Sequence, residues 1–363
     1  MPGFLFGARV SIAAFGNRYE VIDVSSRESQ AQSPVRMNPP RTFRRVPLLP
    51  HQLLDPVTTQ RDLFVLAHVG VPRIDAATWT LTIDGLVREP RTFTLDDIRR
   101  LPKVEVESFH QCAGYPSDPT IATRRVGNVV WGGVDLKSLL ATLQVAPQAR
   151  FLWSYGADSG EYEGVRAEPY IKDCPLQRIA QGAVLLAYEI NGEPLDAEHG
   201  FPLRLVVPGF YGTNAVKWLT RLHLAETRAD GPFTTQLYND RLAGGMRPVW
   251  EIAPESVIVS LAPGARIGLQ PVEVWGRAWA DGGVGKVEVS TDGGASWRAA
   301  GLSLRRGRAW QKFSIAWNPE REGDAVLMSR AHDERGAVQP AAAWRNSIHA
   351  VPVTVVARGA RHE

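Results

Sequence analysis

Cys112 has the widest chemical range of any residue in this chain. It stands in SFHQCAGYP, after the alternating segment VEVESF and before a Gly-Tyr-Pro turn. A thiol on a loop at a strand end can face a cavity, where its thiolate serves as a nucleophile or a soft metal ligand. The competing reading is a small buried hydrophobe, since free cysteines are among the most buried residues. A cysteine hydrolase would also need a histidine and an orienting partner. His68, His110, His199 and His223 are available, and spacing singles out none of them.

A second constellation is cationic. His199 and Arg204 occur in HGFPLRLVVPGFYG, and Lys217 follows in NAVKWL. Gly209 and Gly212 would let backbone N–H groups approach a ligand, and the three side chains would complete an anion site. The plainer reading caps strand ends with His199 and Arg204 and leaves Lys217 in solvent. Trp131-Gly132-Gly133 follows Arg124-Arg125 and Gly127-Asn128. It reads either as a turn into a helix or as an indole and two guanidinium groups near the Cys112 loop. There is no P-loop, no GxGxxG between strand and helix, no HExxH, no zinc-type Cys/His set and no CxxCH.

The elements that must position these residues are short. WTLTIDGL, from Trp79, alternates and ends in an Asp-Gly turn, which predicts a strand entering a hairpin. TLDDIRRL opens with a capping Thr94 and early acids, and spaces Leu95, Ile98 and Leu101 on one helix face. Asp135 to Leu143 repeats that logic after a break at Gly132-Gly133. VEVESF predicts a strand that delivers the chain to Cys112, and FPLRLVV a buried strand bounded by prolines. Strands and helices mix without a βαβ rhythm, so this part reads as α+β rather than doubly wound. After about residue 245 the character changes. Val272 to Trp279 alternates, Lys286 to Ser290 runs into a Thr-Asp-Gly-Gly turn, Phe313, Ile315 and Trp317 share a face, and Ala325 to Ala331 is a further strand. Such spacing predicts a β-sandwich. Seven of the eleven tryptophans (Trp250, Trp275, Trp279, Trp297, Trp310, Trp317 and Trp344) fall there. Core and sheet-face packing explains them better than a carbohydrate-binding platform. The expected division is a polar arm at 1–45, an α+β domain at 46–244 and an all-β sandwich at 245–363.

A length of 363 residues exceeds what one core usually spans, about 250–300, and agrees with two domains. With 44% hydrophobic and 22% charged residues the composition is that of a soluble globular protein. No apolar run reaches the roughly 18 residues of a membrane-spanning helix. A net charge of +3 without a basic stripe gives no case for nucleic acid. Two cysteines cannot build a disulfide framework. MPGFLFGARVSIAAFGNRYE lacks a twin arginine, a basic leader and a long apolar core, so a cytoplasmic protein is expected, or a periplasmic one if a leader is absent from this chain.

Taken in order, FHQCAG, GNVVWGGVDLKSLL, EHGFPLRLVVPG and GTNAVKWL resemble the sulfite oxidase family of molybdenum enzymes. VWGRAWADGGVGKVEVSTDGGASW and SRAHDERGAVQP resemble that family's Ig-like dimerisation domain. The likeness runs from about residue 50 to about residue 355. It implies one molybdopterin carrying molybdenum, with Cys112 as the third sulfur ligand and one metal face open to substrate. It places pterin and phosphate contacts at His68, Asp158, His199, Arg204 and Lys217, the pocket tryptophan at Trp131 and the active-site tyrosine at Tyr238, in FTTQLYND. It also implies a homodimer and an external electron acceptor or donor such as a cytochrome. The redox chemistry would be the cofactor's, with the protein supplying binding, orientation and charge.

The chain departs from the family in two places. Where the family reads FVRNH, with an arginine that reaches the oxyanion substrate, this chain reads FVLAH, with Leu66 and Ala67. Where the family has Asn-Arg-Arg after CAG, it has Tyr115-Pro116-Ser117. Each missing charge-assisted hydrogen bond is worth about 1.5–3 kcal/mol to a dianion. Arg124, Arg125 or Arg166 could stand in. The expected activity is a sulfite oxidase- or dehydrogenase-like transfer of one oxygen atom with two electrons. The alternative in the same class is a reductase or oxidase of another sulfur compound or oxyanion, of sulfoxide type. From a different class, a non-catalytic two-domain binding protein with an inert Cys112 competes.

Overall fold

The computed structural model describes residues 10–15, 18–23, 43–45, 47–114, 125–162, 164–242, 244–343 and 345–357. In the expected arm, Val10–Phe15 pairs with Arg18–Asp23, and Phe43–Arg45 pairs with Val65–Leu66. The arm therefore contains strands, and its remainder lies outside the described residues. Among the described residues no helix is long and apolar enough to cross a membrane.

Two five-stranded arrangements build the first part. One orders Ile171–Pro175, Phe151–Gly156, Leu219–Ala225, Thr80–Gly85 and Arg91–Thr94. Only its Leu219–Ala225 and Thr80–Gly85 pair is parallel. The other orders Glu193–Pro194, Leu185–Ile190, Val126–Asp135 and Lys103–Gln111, with Arg204–Val206 also paired to Leu185–Ile190. The predicted hairpin at Asp84-Gly85 and the strand into Cys112 are both present.

The helices follow from their caps. Thr94 and Asp97 exchange bonds, with the Asp97 N–H donating to Oγ1 at 3.2 Å and the Thr94 N–H donating to Oδ2 at 3.0 Å. This capping box starts helix Leu95–Arg99, whose Leu95 and Ile98 are buried. Asp135 accepts from the Ser138 N–H at 2.9 Å and starts Leu136–Ala141.

Gly132 and Gly133 do not break the chain. They lie inside strand Val126–Asp135. A Cβ on Gly133 would stand 2.1 Å from the Leu186 carbonyl oxygen, so the adjacent strand approaches too closely for any side chain. The glycines serve strand packing rather than a turn.

The second part is the expected sandwich. Glu255–Ile258, Val272–Trp279, Gln311–Trp317 and Gly301–Leu302 form one sheet. Ala265–Gly268, Ala350–Val356, Gly323–Asp333, Val284–Ser290 and Arg298–Ala299 form the other. Between them pack Ile258, Val274, Val287, Phe313, Leu327 and Val353. The tryptophans divide by task. Trp317 belongs to this core, whereas Trp279 and Trp310 bury themselves in the core of the first part. The Trp279 indole N–H donates to Gln111 Oε1 at 2.8 Å, and that of Trp310 to the Pro56 carbonyl at 2.9 Å. Trp275 and Trp297 lie under Lys312 and Arg330. Trp344 lies outside the described residues.

An ion cluster around the buried Asp281 also joins the two parts. Asp281 accepts from Arg178 at 2.5 Å, Arg335 at 3.3 Å and Arg308 at 3.4 Å. Gly209 rests on this cluster with φ +86°, and a Cβ there would meet Asp281 Oδ1 at 2.1 Å. Gly209 thus makes room for the ion pair and does not serve the anion site expected of it.

Candidate active site

Strand Lys103–Gln111 is exposed at its start and buried at its end, so it carries the chain from the surface into the molecule. Cys112 follows, 5% exposed, with its N–H donating to the Arg125 carbonyl at 2.9 Å. It lines a cleft. His68, Asp158, His199, Arg204, Lys217 and Tyr238 line the same cleft. Seven of the eight residues singled out in the sequence therefore converge, from segments as far apart as positions 68 and 238.

Trp131 is the exception. It is fully buried and does not line the cleft. Arg204 lies over its ring, 4.9 Å from the centroid, and His110 packs edge-on at 5.5 Å. Trp131 supports the wall from one layer behind, through the two cleft residues that pack on its ring.

Two corners of the cleft differ in chemistry. In the cationic corner Lys217 Nζ donates to the Leu66 and Glu198 carbonyls at 2.9 and 2.8 Å. Arg204 donates to the His199 and Ala215 carbonyls at 2.9 and 3.1 Å. His199 Nδ1 pairs with Asp196 at 2.9 Å. Burial, then the charge of Arg204, pushes the Lys217 amine down to about 7. Burial likewise pulls the Arg204 guanidinium down to about 9. It raises the Asp158 carboxyl to about 6, against the pull of Lys217. Burial is the largest cause of all three shifts, so the corner withdraws two cations and a carboxyl from water without fully compensating them.

The aromatic corner surrounds His68. Tyr162 meets it edge-on at 4.8 Å, and Phe233, Tyr238 and Tyr170 lie at 5.1, 5.7 and 5.9 Å. His68 Nε2 is in hydrogen-bond contact with the Tyr238 hydroxyl. Enclosure lowers the His68 imidazole to about 3, and burial raises the Tyr238 phenol well above its usual value, so both are neutral at pH 7. Tyr238 has φ +56°, a left-handed conformation costing a non-glycine residue about 1–2 kcal/mol. Strain of this kind collects where geometry serves function.

Tyr170, Thr213 and Arg345 escaped the sequence reading, and His110 and Gly212, named there as a possible base and as part of an anion site, take places in the cleft. His110 lines the cleft from the end of strand Lys103–Gln111, two positions before Cys112. The two-residue period was the available signal. Gly212 is open because a Cβ there would press His110 Nε2 at 3.1 Å. Tyr170 donates to the Thr213 carbonyl at 2.9 Å, and both line the cleft without any local signal. Arg345 comes from the sandwich, pairs with Asp240 and lies close enough to feel the charges of Cys112 and Tyr238. The stand-in arginines are differently employed. Arg166 pairs with Glu168 at 2.5 Å on the surface, Arg125 donates to the Gly114 carbonyl at 2.6 Å, and Arg124 lies outside the described residues.

Residues 68–233 match the family model described as the oxidoreductase molybdopterin binding domain, and residues 246–352 match the Mo-co oxidoreductase dimerisation domain. The mitochondrial sulfite oxidase of Rattus norvegicus is 30% identical over 382 residues, which cover 93% of this chain and 68% of that one. The sulfite oxidase of Arabidopsis thaliana is 29% identical over 353 residues, covering 85% of this chain and 87% of that one. The crystal structure of the sulfane dehydrogenase SoxCD from Paracoccus pantotrophus superimposes with a TM-score of 0.73 at 31% identity, over 83% of this chain and 82% of that one. Fold and cleft thus define a molybdopterin-dependent oxidoreductase. The chain belongs to the sulfite oxidase family, and its activity is of the sulfite oxidase or dehydrogenase kind.

The cleft residues fit that cofactor. His199 Nε2 and Arg204 Nε are buried without a hydrogen-bond partner. Orphan polar groups in a lined cavity cost about 1–3 kcal/mol each, and a polar anionic ligand removes that cost. A thiol at the same cavity supplies the soft donor that molybdenum takes.

Proposed function

We propose that this protein oxidises a reduced sulfur compound whose reacting sulfur carries less charge than sulfite, and passes the electrons to an external acceptor such as a cytochrome. The observation that carries this reading is the cleft wall over Leu63, Phe64, Val65, Leu66 and Ala67, whose side chains are all apolar, while Lys217, which reaches the Leu66 carbonyl, is spent on the pterin in this reading. The cation that the second domain brings near Cys112, Arg345, is already paired with Asp240. A dianion would find little uncommitted positive charge on that side. The net change, with R–S standing for the substrate, is R–S plus water to R–SO plus two protons and two electrons.

Molybdenum held by molybdopterin supplies oxygen-atom transfer coupled to two-electron redox chemistry. In this reading Cys112 anchors the metal. His199, Arg204 and Lys217 hold the anionic part of the pterin, and Asp158 faces its polar edge. Tyr238 and His68, both neutral, share a hydrogen bond that keeps the phenol protonated and orients its hydroxyl at the cleft. The apolar wall keeps water from the reacting sulfur. The non-catalytic alternative has no place in this family of enzymes. The matched dimerisation domain supports an assembly of two copies, to be read as a particle of twice 39.9 kDa by sedimentation. A monomer would remove that part of the reading.

Substrate choice is tested by a panel with ferricyanide as acceptor. Sulfane and thioether sulfur compounds should show a higher kcat/KM than sulfite. Leu66→Arg should raise kcat/KM for sulfite by about tenfold or more, from one regained charge-assisted bond. A low KM and fast turnover of sulfite by the unmodified protein, with no gain in the variant, would overturn the charge argument.

A further inference from the structure

Lys172 is 1% exposed, and the residues that meet its side chain do not explain it as a stabilising choice. It lies on strand Ile171–Pro175. Its Nζ donates to the Phe233 carbonyl at 2.7 Å and stands 5.6 Å from the centroid of the Tyr238 ring. The neighbouring carboxylate of Asp173 is occupied elsewhere, by Arg228 at 2.8 and 3.0 Å and by the Ala229 N–H at 3.3 Å. Burial pulls the Lys172 amine down to about 7, with Asp173 opposing. An amine buried on a neutral carbonyl gains less than an apolar side chain of the same shape would.

What Lys172 touches is the support of the aromatic corner. Phe233 packs on Tyr170 at 4.3 Å, on His68 at 5.1 Å and on Tyr238 at 6.2 Å. Its carbonyl lies in the single-turn helix Pro232–Thr235, whose bonds run to the carbonyls of Gly231 and Pro232 and leave that of Phe233 to Lys172. On the far side of the turn, Asn239 Nδ2 donates to the Thr234 and Leu237 carbonyls at 2.8 and 3.1 Å. Two side chains therefore clamp the segment that presents Tyr238 in its left-handed conformation.

We propose that Lys172 is a positioning residue, which holds the Phe233 carbonyl and braces the Tyr238 ring so that the phenol hydroxyl meets His68 beside Cys112. The inference rests on the reading of Tyr238 as part of the active site. Removing the clamp lets the ring drift, and misplacement by an ångström costs up to about a hundredfold in rate.

The test uses the full-length holoenzyme labelled with 3-fluorotyrosine. It has eight tyrosines, and the Tyr238 line is identified by its loss in Tyr238→Phe. In Lys172→Met the Tyr238 fluorine line should shift or split while melting stays cooperative. Turnover kcat should fall about tenfold with KM little changed. Adding Lys172→Met to Tyr238→Phe should lower turnover no further. Lys172→Gln carries the same readings if the methionine variant does not fold. An unmoved Tyr238 line, or an equal loss of turnover in both backgrounds, overturns the proposal. Full turnover in Tyr238→Phe together with a moved line in Lys172→Met would remove Tyr238 from catalysis and leave the positioning of its ring by Lys172 intact.

Discussion

Cys112→Ser is expected to lower turnover by about a thousandfold or more while the fold survives. Serine at this site keeps the shape and loses the soft, charge-donating sulfur on which a heavy metal depends. The backbone does not need the thiol, since the bond holding this residue is its own N–H to the Arg125 carbonyl. The melting temperature should therefore move by only a few degrees, while the molybdenum retained after purification falls or its sulfur-to-metal absorption changes. Metal analysis, the absorption spectrum and turnover are read on one preparation. Turnover within tenfold of the unmodified protein would exclude Cys112 as the metal's anchor.

Arg204→Gln should weaken the hold on the cofactor by about 10- to 100-fold, the worth of one charge-assisted contact. Arg204 contributes twice, through its unpartnered Nε and through its charge beside Lys217. The second contribution gives a pH signature. The Lys217 amine sits at about 7 in the folded chain and at 10.5 in its ordinary state. Between those values the unfolded chain binds more protons, so the cofactor-free protein gains stability as pH rises across the window and loses it as pH falls toward 7. An anionic ligand prefers the protonated amine, so cofactor affinity runs the other way and declines above about pH 7. Arg204→Gln removes a charge that depresses Lys217, and both trends should begin at higher pH. Thermal melts of cofactor-free protein and pterin content after dialysis, each across the window, check the two directions. Parallel trends, or none, would show that Lys217 does not face the anion.

Much of the fold was legible because it depends on near neighbours. The capping box of Thr94 and Asp97 closes within four residues. The alternation from Val272 to Trp279 fixes which side chains enter the sandwich core, as Val274 and Ala278 do. Strand Lys103–Gln111 brings Cys112 inward because the strand ends buried. The misreadings share one cause. Gly132-Gly133 looks like a turn, and only the approach of the Leu186 carbonyl makes it a strand. Gly209 looks like part of an anion site, and only the buried Asp281 shows what its open space is for.

The amino-acid order by itself determined the local elements and the sandwich, which rest on residue type and short-range spacing, while the seven cleft residues were placed by the family resemblance of the ordered blocks. Tertiary structure alone decided the depth of Trp131, the arrival of Arg345 from the second domain and the clamp that Lys172 places under Tyr238. Depth and contact are properties of packed surfaces. The charge that reaches Cys112 from Arg345 crosses a fold that brings together positions more than two hundred residues apart, a distance over which no pattern in the chain carries information.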